Sequence, residues 1–144
     1  MNGLLNPPVP AESGETAARK PQRILIVDDE PLIRAFIEAS LRAAGYDQLI
    51  FSTNGSMVPS LAMSEDPDLI IMDVIMPGGN GLRALRTLQK VPKTAAIPVI
   101  LTSGFSVPTL EDTTHQSPAC LLSKPFTPQQ LLERVGRLLN TQAA

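Results

Sequence analysis

The 144-residue sequence has a single cysteine, a single histidine, no surplus of basic residues and no apolar run longer than a strand. Cys120 alone cannot close an internal disulfide, which fits a reducing compartment, and its place in an apolar run points to a buried, inert thiol. Twelve Lys and Arg stand against fourteen Asp and Glu, a formal net charge of -2. That balance supplies no broad basic field, so direct contact with nucleic acid is not expected. A membrane span needs about 20 apolar residues in succession, and nothing here approaches that length. The amino terminus also lacks a basic segment followed by a hydrophobic one, so no secretory signal is visible and the expected location is cytoplasmic. His115 has no Cys or His at ligand spacing, which favours a surface role over metal binding or phosphotransfer. No solenoid-type repeat is present.

With 43% hydrophobic residues the chain is the size of one domain and can bury a working core. Residues 1–21 carry Pro7, Pro8, Pro10 and Pro21 without helical or strand period, and read as a flexible leader. From Arg23 onward strand-like runs alternate with helical periods, the pattern of βα units and a parallel sheet. The expected strands are Ile24–Val27, Leu49–Phe51, Asp68–Met72, Pro98–Leu101 and Ala119–Leu122. After the first comes a helix opening near Pro31 and ending by Gly45, with Ile33, Phe36, Ile37, Leu41 and Ala44 as its apolar stripe. A weaker helix runs through Met57, Leu61 and Met63, with Pro59 near its start. The third strand leads through a Gly-rich turn to a helix over about 82–89. Between Phe105 and Pro118, Pro108, three threonines and few apolar residues predict a short or poorly packed helix. The last helix has the clearest start: Thr127 caps it, Pro128 suits its first position and Gln130 completes a capping box. Leu131, Val135 and Leu138 form its expected buried stripe, flanked by Leu132 and Leu139.

Parallel strands open their carboxyl ends onto one edge, where such sheets bind ligands. Asp28, Asp29, Asp73, Thr102 and Lys124 all lie at predicted strand ends and converge there. Clustered carboxylates repel, and a divalent cation, a proton or a basic partner must relieve them. Hard oxygen donors with room for water suit Mg²⁺. Asp73 is then the candidate nucleophile toward a phosphoryl donor, with the Lys124 ammonium screening charge and the Thr102 hydroxyl donating to a phosphoryl oxygen. Taken singly, each residue has a plainer reading: Asp28 and Asp29 as helix caps, Asp73 as a turn former, Lys124 as a solvated lysine, Thr102 as a backbone-bonded hydroxyl. Met72 and Met76 read as packing residues.

Four ordered blocks carry a more specific pattern: Ile24-Leu-Ile-Val-Asp-Asp-Glu30, Leu69-Ile-Ile-Met-Asp-Val-Ile-Met-Pro77 with Gly81, Val99-Ile-Leu-Thr-Ser103, and Ser123-Lys-Pro-Phe126. Together they closely resemble the receiver domain of two-component response regulators. The resemblance spans about residues 22–140, leaving 1–21 as leader and 141–144 as tail. It implies a CheY-like, doubly wound α/β fold with a five-stranded parallel sheet in the order 2-1-3-4-5. It also implies that Asp73 accepts a phosphoryl group from a phosphohistidine on a histidine kinase or phosphotransfer protein, and that the change alters binding to a downstream protein. Asp28, Asp29, Asp73 and the Ile75 backbone carbonyl would hold Mg²⁺. Thr102 matches the family's switch hydroxyl and Lys124 its pairing lysine, with a cis bond common at the position of Pro125. A chain of this kind is expected to be a monomer or weak dimer, and no enzyme beyond self-directed phosphotransfer and slow autodephosphorylation.

Two positions depart from the family. Leu121 stands three residues before the lysine, where an aromatic ring usually swings inward, so that rotamer switch cannot operate. The thin segment 105–118 stands where receivers place a signalling helix. Two alternatives stay open: a Mg²⁺-dependent phosphohydrolase with an aspartyl nucleophile, disfavoured because Ile75 replaces its usual second acid, and a receiver that belongs to a longer hybrid kinase.

Overall fold

The computed structural model describes residues 21–76, 79–104 and 119–143. The leader through residue 20, the segment 105–118 with its expected helix and His115, and Ala144 lie outside the described residues. Five parallel strands form one sheet: β1 (Arg23–Val27), β2 (Gln48–Ser52), β3 (Leu69–Asp73), β4 (Val99–Ser103) and β5 (Ala119–Ser123). Their order is β2-β1-β3-β4-β5, the doubly wound arrangement expected. The helices are α1 (Pro31–Ala43), α2 (Val58–Glu65), α3 (Gly81–Gln89) and α4 (Pro128–Ala143). A 3₁₀ turn at Gly55–Met57, a single helical turn at Pro92–Ala95 and a two-residue antiparallel ladder, Ile75–Met76 with Gly79–Asn80, were not legible in the sequence. No helix among the described residues is long and apolar enough to cross a membrane.

Alternation along the strands divides the core into two layers. Leu25, Val27, Ile70, Met72, Val99 and Leu101 point to the side covered by α2 and α3, where Val58, Ala62, Leu85 and Leu88 complete the packing. Ile24, Ile26, Leu69, Ile71, Ile100 and Leu122 point to the other side, against Ile37 and Leu41 of α1 and Leu131 and Val135 of α4. Because β3 is buried along its whole length, every one of its side chains serves a core or the site. The Phe36 and Phe126 rings, centroids 5.7 Å apart and tilted by 56°, join α1 to the loop before α4.

Helix ends follow the chemistry of their residues. Gly45 at φ +97° lets the Gly45 amide reach the Arg42 carbonyl and the Tyr46 amide the Leu41 carbonyl, closing α1. Asn80 accepts from the Arg83 amide at the start of α3. The expected capping box is formed: Thr127 Oγ1 accepts from the Gln130 amide at 3.1 Å and Gln130 Oε1 from the Thr127 amide at 2.9 Å.

Side-chain burial corrects several expectations. The strands β2, β4 and β5 run beyond their expected ends, while Asp68 and Pro98 fall outside β3 and β4. Ala44 is exposed at the frayed end of α1, and Ser40 fills the inner face instead. Met57 and Met63 are exposed, because α2 turns Val58 and Ala62 inward. Cys120 is half-buried on the edge strand β5, its sulfur 3.8 Å from the Arg134 guanidinium, and is no core thiol. Leu139, at 2% exposure, completes the α4 stripe with Leu131 and Val135, and Leu138 flanks it. The i, i+4, i+8 spacing keeps Leu139 on one side of the helix, whereas position 138 has rotated off it. Leu139→Ala should therefore cost about 2–5 kcal/mol in urea unfolding, with Leu138→Ala losing less than half as much. Equal losses would reverse the assignment.

Candidate functional site

The site lies where β1, β3, β4 and β5 end. Asp28 follows β1, Asp73 closes β3, Thr102 lies in β4 beside Asp73 in register, and Lys124 follows β5. Asp28, Asp29 and Asp73 each bring a carboxylate oxygen within 4.8 Å of the others. The sheet thus gathers every acid the sequence placed at a strand end. Lys124 Nζ donates to Asp73 Oδ2 at 3.2 Å and Asp28 Oδ2 at 3.5 Å, and lies 3.6 Å from Glu30 Oε1.

Backbone groups hold these side chains in place. The Glu30 amide donates to Asp28 Oδ1 at 2.9 Å, and the Ile75 amide to Asp73 Oδ1 at 3.3 Å. Asp28 itself is tied on both sides, its amide donating to the Ser52 carbonyl and its carbonyl accepting from Arg34 at 2.9 Å. The Lys124 amide donates to the Ser103 carbonyl at 2.7 Å, fixing the base of the lysine to β4. The Lys124–Pro125 bond is cis, as the family resemblance implied.

Glycine is needed at position 81. Its amide donates to the Val74 carbonyl at 2.7 Å, and a Cβ there would lie 2.5 Å from the Asp73 carbonyl oxygen. No side chain fits between the start of α3 and the strand end that carries Asp73. Glu30, Arg34 and Gly81 are the site residues to which sequence reasoning gave no role. Glu30 and Gly81 stood inside or beside the recognised blocks, but Arg34 acts through a backbone carbonyl, for which residue type gives no signal.

Charge is the dominant stress. Burial raises the pKa of Asp28 from its ordinary value, and the Asp73 charge adds to it, against the Glu30 amide and Lys124. For Lys124, burial disfavours the ammonium, but the Coulombic pull of Asp28 and Asp73 outweighs it and the net shift is upward. Thr102 Oγ1 is buried and, among the described residues, has no hydrogen-bond partner. An orphaned hydroxyl costs about 1–3 kcal/mol unless a ligand satisfies it. Three hard carboxylates fit a small divalent cation with oxygen preference. The aliphatic Ile75 side chain, 56% exposed, stands two residues after Asp73 where an acid or amide would reach solvent water.

Comparison with known proteins places this geometry. The family model described as response regulator receiver domain matches residues 24–136. Protein PilH of Pseudomonas aeruginosa is 37% identical over 123 residues, covering 81% of this chain and 97% of that protein. Among solved structures, a response regulator from Chloroflexus aurantiacus aligns with a TM-score of 0.75 at 30% identity, over 84% of this chain and 99% of that one. The receiver domain of a sensor histidine kinase from Pseudomonas aeruginosa, which has a magnesium ion coordinated in its active site cleft, aligns with a TM-score of 0.74 at 26% identity, over 84% and 99%.

The raised Asp28 pKa has a measurable consequence. A carboxyl whose native pKa exceeds its unfolded value stabilises the fold fully at low pH, and that contribution is lost as pH rises through the native value. Lys124 is charged throughout that acidic window, so its own upward shift does not enter. Asp28→Asn without divalent cation should therefore raise Tm at about pH 7, with the gain shrinking toward about pH 3. A lower Tm at neutral pH would show that ionised Asp28 supports the fold.

Proposed function

The chain belongs to the response regulator receiver family of two-component signalling, and we propose that Asp73 takes a phosphoryl group from a phosphohistidine on a histidine kinase or phosphotransfer protein. The observation that carries this reading is the Thr102 hydroxyl, buried without a partner among the described residues and in register with Asp73 on the adjacent strand. A phosphoryl oxygen is the acceptor that it lacks.

In the proposed step an Asp73 carboxylate oxygen attacks phosphorus. The P–N bond to the imidazole breaks, its electron pair goes to the ring nitrogen, and an acyl phosphate forms. Ile75 orients the nucleophile through its amide, and Lys124 at 3.2 Å neutralises the oxygen that does not attack. Thr102 donates to the phosphoryl oxygen that turns toward β4. Asp28, Asp29, Asp73 and the Ile75 carbonyl would hold Mg²⁺, which when bound screens the anionic nucleophile from the anionic donor.

Receivers are not conventional enzymes. The phosphotransfer proposed here is self-directed, and its product acts by changing the affinity for a downstream protein, with no direct nucleic acid contact. The receiver unit occupies about residues 22–140 and works in the cytoplasm in this reading. The phosphohydrolase alternative needs a second acid where Ile75 stands.

Titration of wild type and Asp73→Asn with trifluoroberyllate and Mg²⁺ tests the reading. Affinity should fall at least about a hundredfold in the variant, the worth of roughly two charge-assisted contacts. Equal binding by both would refute Asp73 as acceptor. Steady release of phosphate from a small ester, lost in the same variant, would support the phosphohydrolase instead.

Ile75 bears on how long the acyl phosphate lasts. An aliphatic side chain offers an approaching water no hydrogen bond, so hydrolysis should be slow. Ile75→Asn should speed the loss of phosphate severalfold, followed by release of labelled phosphate. An unchanged rate would exclude the side chain from hydrolysis.

A further inference from the structure

Lys124 Nζ faces three carboxylates: Asp73 at 3.2 Å, Asp28 at 3.5 Å and Glu30 at 3.6 Å. The first two lie within hydrogen-bond reach and the third is a longer ion-pair contact, so Glu30 acts on the ammonium through its charge. They differ in freedom. The Asp28 and Asp73 side chains are 1% and 10% exposed, and each accepts from a backbone amide. The Glu30 side chain is 60% exposed and sits one residue before α1. Its carboxylate is the member of the cage that water can release.

A phosphoryl group on Asp73 needs donors, and the Thr102 hydroxyl, without a partner among the described residues, supplies one. Lys124 can supply another, and its ammonium is held among three carboxylates. We propose that Glu30 is a positioning residue that competes with the phosphoryl group for Lys124, weakening the site's hold on the anion. The inference rests on Asp73 being the phosphoacceptor. Two effects act in the same direction. Glu30 draws on the lysine's positive charge from 3.6 Å, and its own negative charge opposes the incoming anion. Asp29 shares the second effect but not the first, since Lys124 is within ion-pair distance of Asp28, Glu30 and Asp73. The cost of displacing Glu30 is small, because an exposed ion pair contributes little. It therefore tunes affinity without blocking the site.

The full chain is titrated with trifluoroberyllate at saturating Mg²⁺, comparing wild type, Glu30→Gln and Glu38→Gln. Glu38 is an acid of α1 paired with Arg42 at 2.9 Å, and serves as the charge-matched control. Glu30→Gln should bind roughly three to ten times more tightly, the effect of one unit charge removed from nearby in water-like surroundings. The control should stay within about twofold of wild type. In the anion-free protein the Lys124 side-chain ¹⁵N–¹H signal should shift in Glu30→Gln and not in Glu38→Gln, a readout that altered stability alone would not move. Unchanged or weaker binding by Glu30→Gln, an unmoved lysine signal, or equal tightening by the control overturns the proposal. If wild type fails to bind the analogue, or Asp73→Asn binds it equally well, the phosphoacceptor reading falls instead.

Discussion

The structure is organised around mutual repulsion of carboxylates held at one edge of a sheet. Asp28 and Asp73 are buried, Asp29 is close enough to share an ion with them, and Lys124 is the cation that lies among them. Such a cluster does not assemble itself. It persists because β1, β3 and β4 are fixed by two hydrophobic layers whose formation does not depend on the acids. Backbone amides of Glu30 and Ile75 then donate to the carboxylates that solvent would otherwise hydrate. The core supplies the free energy that the site spends, which is the usual relation between a scaffold and a strained functional centre.

That separation explains why Asp28 and Lys124 both titrate upward. Burial and the Asp73 charge work against ionised Asp28, while Asp28 and Asp73 work in favour of charged Lys124. The pair is asymmetric: the lysine gains from the cluster and the aspartate loses. A divalent cation would relieve the loss at Asp28 and free the ammonium for another anion. Gly81 is the steric counterpart of this arrangement, since the turn must pass so close to the Asp73 carbonyl that no Cβ fits.

Much of this was legible in the sequence, for a physical reason. Strands buried on both faces read as unbroken Ile, Leu and Val runs, so β1, β3 and β4 announced themselves, and polar residues at their ends marked the site edge. The five-strand order and the meeting of Asp28, Asp73, Thr102 and Lys124 followed from the ordered motifs. Errors concentrated where burial depends on helix rotation or on the end of an element. Leu138 and Leu139 are adjacent apolar residues, and only the packing of α4 against the sheet decides between them. Ala44 and Cys120 sit at a helix end and on an edge strand, where an apolar residue need not be covered. The roles of Glu30 and Arg34 are tertiary: one depends on where Lys124 arrives from β5, the other on a carbonyl.

Leu121 stands on β5, three residues before Lys124. It packs among the residues on the α2 and α3 side, and as an aliphatic residue it has no ring to exchange between two positions. A row of short backbone bonds runs across the sheet edge beside Asp73. The Val74 amide donates to the Thr102 carbonyl at 3.0 Å, and the Lys124 amide to the Ser103 carbonyl at 2.7 Å. Those two bonds join the ends of β3, β4 and β5. The Leu121 carbonyl accepts from Arg134 of α4 at 2.6 Å, which continues the same row to the last helix.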